Sequence, residues 1–244
     1  MSVLDGLNTA PTYIFKIPST GKEVKFRPFL VKEEKELMIA KGSDDPKNYI
    51  EAVKKLISSC TFGKVDPDSL ASFDIESFFI LLRAKSVGED VEVTFRCKNI
   101  IADNEAPCNY KIEVVIPLND VTVKEEDIPK DMNIKLNDTV SIEMKFPSFD
   151  TLALLTLAKA DEDVVKVVAS MINSIFTPEV VHQTSELTPE EVADFVETLT
   201  AKQFQKLMDF IKGLPTIKHT VKMQCPVCKS KQAHTFKGIY DFFS

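Results

Sequence analysis

Four of the five cysteines fall into two pairs far apart in the chain, and that spacing constrains the fold more than any other feature. Cys225-Pro226-Val227-Cys228 has the two-residue gap that lets both thiolates of a knuckle face one tetrahedral metal. Cys97 and Cys108 are separated by ten residues, Lys98 to Pro107, so the loop between them must fold back, and Asn104 and Pro107 suit such a turn. Each pair follows a strand-like segment. Val91 to Arg96 alternates apolar and polar residues before Cys97, and Ile217 to Gln224 leads to Cys225. Four thiolates about 2.3 Å from Zn²⁺ leave no open coordination position, so the expected site, Cys97, Cys108, Cys225 and Cys228, is a structural zinc site.

Other arrangements stay open at this point. His219 or His234 can complete a set with Cys225 and Cys228, leaving Cys97 and Cys108 as small buried residues without metal. Two disulfides are a further arrangement. The opening Met1-Ser2-Val3-Leu4-Asp5 has neither the basic start nor the apolar run of a secretory signal, which favours a reducing compartment over disulfides. Cys60 continues the apolar helical pattern of Val53, Leu56 and Ile57 and reads as a core residue.

The order of elements recurs. Tyr13 to Ile17 and Glu23 to Phe26 flank the turn-rich Pro18-Ser19-Thr20-Gly21, which predicts a β-hairpin. Helices are expected from Val31, from Pro46 after an Asp45 cap, and after an Asp74 cap, with Gly88 closing the last before the strand that delivers Cys97. From Met132 the plan repeats: a hairpin turning at Asn137-Asp138, helices over Leu152 to Ala160 and Asp163 to Ile175, and a helix capped by Thr188 with Pro189 in its first position. Leu199 to Phe204 then parallels Phe73 to Phe78 ahead of the strand ending at Cys225. The predicted fold is α+β. Two pseudo-repeated units of hairpin, helices and hairpin, residues 1–117 and 131–244, are joined by an acidic connector, 118–130, and by a zinc-ribbon-like four-cysteine site. The repeat itself spans about Thr12 to Pro117 and Asp131 to Phe236.

Catalytic chemistry is hard to find. Ser19-Thr20-Gly21-Lys22 lacks the first glycine of a phosphate loop, and none of His182, His219 and His234 sits in a motif with a nucleophile and an orienting carboxylate. Glu125-Glu126-Asp127 and Asp161-Glu162-Asp163 lack the glycine and terminal glutamate of a calcium loop. An enzyme is therefore not expected. No apolar run reaches the length of a membrane span, and a formal charge of −7 disfavours a phosphate backbone as default partner. Lys218, Lys222, Lys229, Lys231 and Lys237 do cluster around the second cysteine pair, which keeps a zinc-ribbon adaptor acting on nucleic acid, such as a transcription factor, as the alternative. Phe236, Ile239, Tyr240, Phe242 and Phe243 crowd the chain end and form either an exposed docking patch or part of the core beside the cysteine hairpins.

The run Ile14 to Phe29, with the Lys32-Glu33-Glu34-Lys35 helix start, resembles the baseplate proteins of T-even-type contractile-tailed bacteriophages, as does Asp74 to Glu89 leading to Phe95-Arg96-Cys97. That family groups a baseplate hub subunit with a hub assembly catalyst. The resemblance covers the first half well and the second more loosely. It implies a non-enzymatic role in virion assembly, as a chaperone or scaffold or as a hub structural subunit. The implied partners are hub components or the tape-measure protein, and the implied location is the host cytoplasm during assembly or the tail of the virion.

Overall fold

The computed structural model describes residues 10–43, 46–101, 106–151 and 161–239. The chain is α+β, with helices and several small antiparallel sheets. It opens with the predicted hairpin of β1 (Tyr13–Lys16) and β2 (Glu23–Phe26), whose turn places Gly21 at φ 69°, a left-handed conformation that glycine adopts without steric cost. The segment that resembled a phosphate loop is this turn.

Helices α1 (Val31–Lys41), α2 (Pro46–Cys60) and α3 (Ser72–Ser86) follow. Asp74 does not occupy the cap position of α3. It lies one turn in and reaches back to accept the Ala71 N–H at 3.1 Å, while also accepting the Ser19 N–H and hydroxyl of the β1–β2 turn. Ten of the fifteen α3 residues are buried, as befits a helix apolar on most sides and set at the centre of a fold. Phe78 and Leu82 face a first core, where Phe78 stacks on Phe15 at 4.7 Å and meets the edge of Phe26 at 5.1 Å. Ile80 and Ala84 face a second core. Cys60 lies in the first core as expected, and burial pushes its thiol pKa up to about 12.

The second core holds two long ribbons. β3 (Asp90–Arg96) pairs with β6 (Lys111–Pro117), and a small hairpin, β4 (Ile100–Ile101) with β5 (Ala106–Pro107), sits in the loop between them. Within segment 118–130, Leu118 and Val121 are buried in this same core.

The second half contains a four-stranded sheet with order β10-β9-β8-β7, built from β7 (Asn133–Lys135), β8 (Ser141–Met144), β9 (Ile172–Phe176) and β10 (Val181–Gln183). Helix α4 (Asp161–Ser170) stops short of the expected Ile175. Ile172-Asn173-Ser174-Ile175-Phe176 instead forms a central strand. Its isoleucines are β-branched, and Asn173 and Ser174 hydrogen-bond to Glu143 on the neighbouring strand, so the run fits a pleat better than a helix. The predicted helix over Leu152 to Ala160 lies outside the described residues.

Helix α5 (Pro189–Glu197) has the expected Thr188 cap, which accepts the Glu191 N–H at 3.2 Å while the Glu191 carboxylate accepts the Thr188 N–H. Helix α6 (Ala201–Lys212) begins with the same reciprocal pair in Thr200 and Gln203. The starts of α3 and α6 therefore match as Ala71 with Thr200 and Asp74 with Gln203, three residues out of step with the pairing of Phe73 and Leu199 expected from sequence. The last ribbon, β11 (Lys218–Gln224) with β12 (Lys231–Lys237), completes the second core, and Ile239 inserts into the first. Phe236 and Ile239 are thus core residues. Tyr240, Phe242 and Phe243 lie outside the described residues.

Candidate metal centre

Ribbons β3–β6 and β11–β12 match from base to tip. Each has seven cross-strand pairs, Asp90↔Pro117 through Arg96↔Lys111 and Lys218↔Lys237 through Gln224↔Lys231. At the base, Leu118 N–H donates to the Glu89 carbonyl at 2.7 Å and Gly238 N–H donates to the Ile217 carbonyl at 3.0 Å. At the tip, Cys97 N–H donates to Tyr110 at 2.9 Å as Cys225 N–H donates to Ser230 at 2.9 Å. Asn109 N–H then returns to the Cys97 carbonyl, and Lys229 N–H to the Cys225 carbonyl, both at 3.0 Å. The residue after the second cysteine is left-handed in both ribbons, Asn109 at φ 53° and Lys229 at φ 59°. Asparagine tolerates this conformation better than lysine. Only the loops differ, ten residues between the first cysteines and two between the second.

The ribbons pack through their inward faces. The His234 ring lies 5.1 Å from Phe95 and 4.7 Å from Phe236, and Phe95 meets Phe236 at 5.9 Å. That packing brings the tips together. Cys97 Sγ lies 3.5 Å from Cys228 Sγ, Cys108 Sγ lies 3.7 Å from Cys225 Sγ, and all four sulfurs fall within 4.8 Å of one another. Tetrahedral geometry with metal–sulfur bonds of about 2.3 Å places sulfurs about 3.8 Å apart. That is close to both pair distances, so the four could share one ion. Among the described residues this is the one group of three or more metal-ligating side chains close enough to share an ion. His234 is taken up by its aromatic contacts, and neither it nor His219 belongs to the group.

The electrostatics call for a cation. The N–H of Asn99 favours the Cys97 thiolate and that of Tyr110 the Cys108 thiolate. Burial and the neighbouring sulfurs outweigh them, raising the Cys97 pKa and pushing Cys108 up to about 11. At Cys225 burial works against the thiolate, but the N–H groups of Cys228 and Val227 prevail and hold the pKa down at about 7. Four thiolates at these distances, two buried and two half-buried, would repel one another unless a cation neutralised them. Sequence reasoning missed Gln232, whose side-chain amide donates to Cys97 Sγ at 3.0 Å and orients that sulfur from outside the ligand set. Nothing in its spacing distinguishes it from any polar residue on a strand.

Glu76 of α3 was missed as well. It is 2% exposed and accepts the N–H of Ile217, which enters β11, and of Ile239, which follows β12. Thr216 donates to it at 3.4 Å. Gly238, at φ 64°, adopts a left-handed conformation that suits glycine, and a Cβ there would lie 2.9 Å from Glu76 Oε1, so a larger residue would have to displace the carboxyl. Burial raises the Glu76 pKa to about 7 against the hydrogen bonds that favour the carboxylate.

The chain is thus a mixed α+β protein with a four-cysteine group held between two ribbons. The chain belongs to the family described as T4 bacteriophage base plate protein, which it matches over residues 10–244. It is 26% identical over 232 residues to the baseplate hub assembly protein gp26 of Enterobacteria phage T4, covering 95% of this chain and 97% of that protein. No solved structure matches it. Among the described residues no helix is long and apolar enough to cross a membrane.

Proposed function

We propose that this chain is a non-enzymatic assembly factor of the phage tail baseplate, acting on the central hub. The observation that carries this is the match to a hub assembly protein along nearly the whole of both chains. Its partners are other hub components or the tape-measure protein, met in the host cytoplasm while the baseplate is put together. In this reading Cys97, Cys108, Cys225 and Cys228 hold one structural Zn²⁺, which fills its four coordination positions with protein sulfur and leaves none for substrate. Support comes from the sulfur spacing and from backbone N–H groups directed at three of the four sulfurs. The chain is a duplication, units 1–117 and 131–244 with 118–130 between them, and the bond-for-bond agreement of the two ribbons supports it.

A non-catalytic role also suits the cavity of about 430 Å³ beside α5. Its hydroxyls, Ser170 and Thr184, donate to the carbonyls of Val167 and Ile172 rather than to a base. Exposed Ile100 on the β4–β5 hairpin and Val227 at the second tip offer apolar contact to a partner. The test is a phage with its copy of the gene disrupted, grown with and without the protein supplied in trans. The expected result is particles lacking finished hubs unless the protein is supplied. Complete baseplates formed without it overturn the proposal. Probing purified virions for the polypeptide then separates a factor that leaves from a subunit that stays.

A further inference from the structure

The outward faces of the two ribbons carry different charge. On β3–β6 the outward pairs are Asp90↔Pro117, Glu92↔Val115, Thr94↔Glu113 and Arg96↔Lys111, a mixture of signs. On β11–β12 they are Lys218↔Lys237, Thr220↔Thr235, Lys222↔Ala233 and Gln224↔Lys231, four lysines and no carboxylate. Among the described residues Lys218, Lys222 and Lys231 form no ion pair. Lys218 stands directly opposite Lys237, an arrangement that costs stability in an isolated ribbon. The first ribbon has the same backbone and also sets two cations opposite each other, Arg96 and Lys111, but its face carries Asp90, Glu92 and Glu113 as well, so a carboxylate-free lysine face does not follow from the knuckle fold. It is also set against the rest of the molecule, since the whole chain carries −7.

We propose that the outward face of the β11–β12 ribbon docks an acidic segment of another protein, with exposed Val227 at the ribbon tip meeting an apolar residue at one end of that segment. The complementary charge of such a segment offsets the repulsion among Lys218, Lys222 and Lys231 and steers the encounter. This deepens the assembly reading above and rests on it for the partner being a protein. The surface itself favours protein over nucleic acid. It presents no aromatic ring for base stacking and no arginine fork for phosphate, and the acidic remainder of the chain repels a polyphosphate.

The experiment is fluorescence anisotropy of the full metal-loaded chain with a labelled glutamate-rich peptide bearing one terminal leucine, and with a duplex DNA of equal charge, at low and physiological salt. Lys218→Glu with Lys222→Glu is expected to weaken peptide binding about tenfold, and Lys218→Gln with Lys222→Gln by less, with both losses shrinking as salt rises. Arg96→Glu with Lys111→Glu, the matching change on the first ribbon, is expected to alter it by less than about threefold. Absence of saturable peptide binding, equal loss in the two charge-reversed variants, or tighter binding of DNA than of peptide each overturns the proposal. Completion of baseplates by the wild-type chain is read separately, so a negative peptide result removes this surface and leaves the assembly role standing.

Discussion

Ribbons β3–β6 and β11–β12 are alike in backbone from the base pair to the left-handed residue after the second cysteine, and unlike in almost every side chain that faces water. What they share is what four converging sulfurs require: strand length, the two hydrogen bonds that close each tip, and inward apolar residues to pack one ribbon on the other. Where that requirement is silent, they diverge. The first tip tolerates eight more loop residues than the second, and the second face collects lysines. The convergence of the four sulfurs thus acts as the shared template within one molecule, while loops and outward faces are free to specialise.

The largest test of this equivalence is removal of one ligand from either side. Cys97→Ser and Cys225→Ser are expected to lower the thermal midpoint together and by similar amounts, since each leaves an incomplete shared site whose binding energy is folding energy. Differential scanning calorimetry of the two variants checks this, and a midpoint lowered in only one would break the symmetry. Next comes the packing between the ribbons. Phe236→Ala is expected to cost about 3–5 kcal/mol, and its counterpart Ile116→Ala about 2–5 kcal/mol, because both are buried in the same core. Urea unfolding measures both.

The ribbon bases differ in a way that pH reveals. Glu76 clamps the base of the second ribbon, and its pKa in the folded chain, about 7, lies above the ordinary carboxylate value of 4.5. Between those values the folded state holds a proton that the unfolded state has released, so stability falls as pH rises from about 4.5 to about 7, by roughly 3 kcal/mol, and is level above that. Glu33 runs the other way. Arg27 and Ser59 hold its pKa at about 2 against the cost of burial, so its contribution is present above pH 4.5 and is lost as pH falls toward 2. Glu76→Gln is expected to flatten the slope between pH 4.5 and 7 and to leave the acid limb intact, as read by urea midpoints across that range.

The smallest effect is at the tips. Lys229→Gly, which relieves a left-handed lysine, is expected to stabilise by about 1 kcal/mol, whereas Asn109→Gly changes stability by less. A destabilised Lys229→Gly would show that the lysine side chain itself supports the tip.

Much of this was legible in the sequence because it depends on local rules. The cysteine pairs, the Gly21 turn, the Thr188-Pro189 cap and the alternating strands each carry their signal within a few residues. What escaped depends on contacts distant in the chain. Ile172 to Phe176 has helical neighbours on its N-terminal side and becomes a strand only because β8 and β10 flank it. Gln232 and Glu76 gain their roles from Cys97 and Ile217, 135 and 141 residues away. Asp74 was recognised as a capping residue but assigned one turn too early, since an acceptor at the cap and an acceptor reaching back from the first turn leave the same mark in sequence.

The central claim is that one ion joins both ribbons. Elemental mass spectrometry of the full chain purified under reducing conditions, as wild type and as Cys97→Ser and Cys225→Ser, tests it most directly. The account predicts one zinc per wild-type chain and its loss in both variants. Zinc retained by Cys97→Ser would contradict it, confining the metal to the second ribbon and leaving the two halves joined by packing alone.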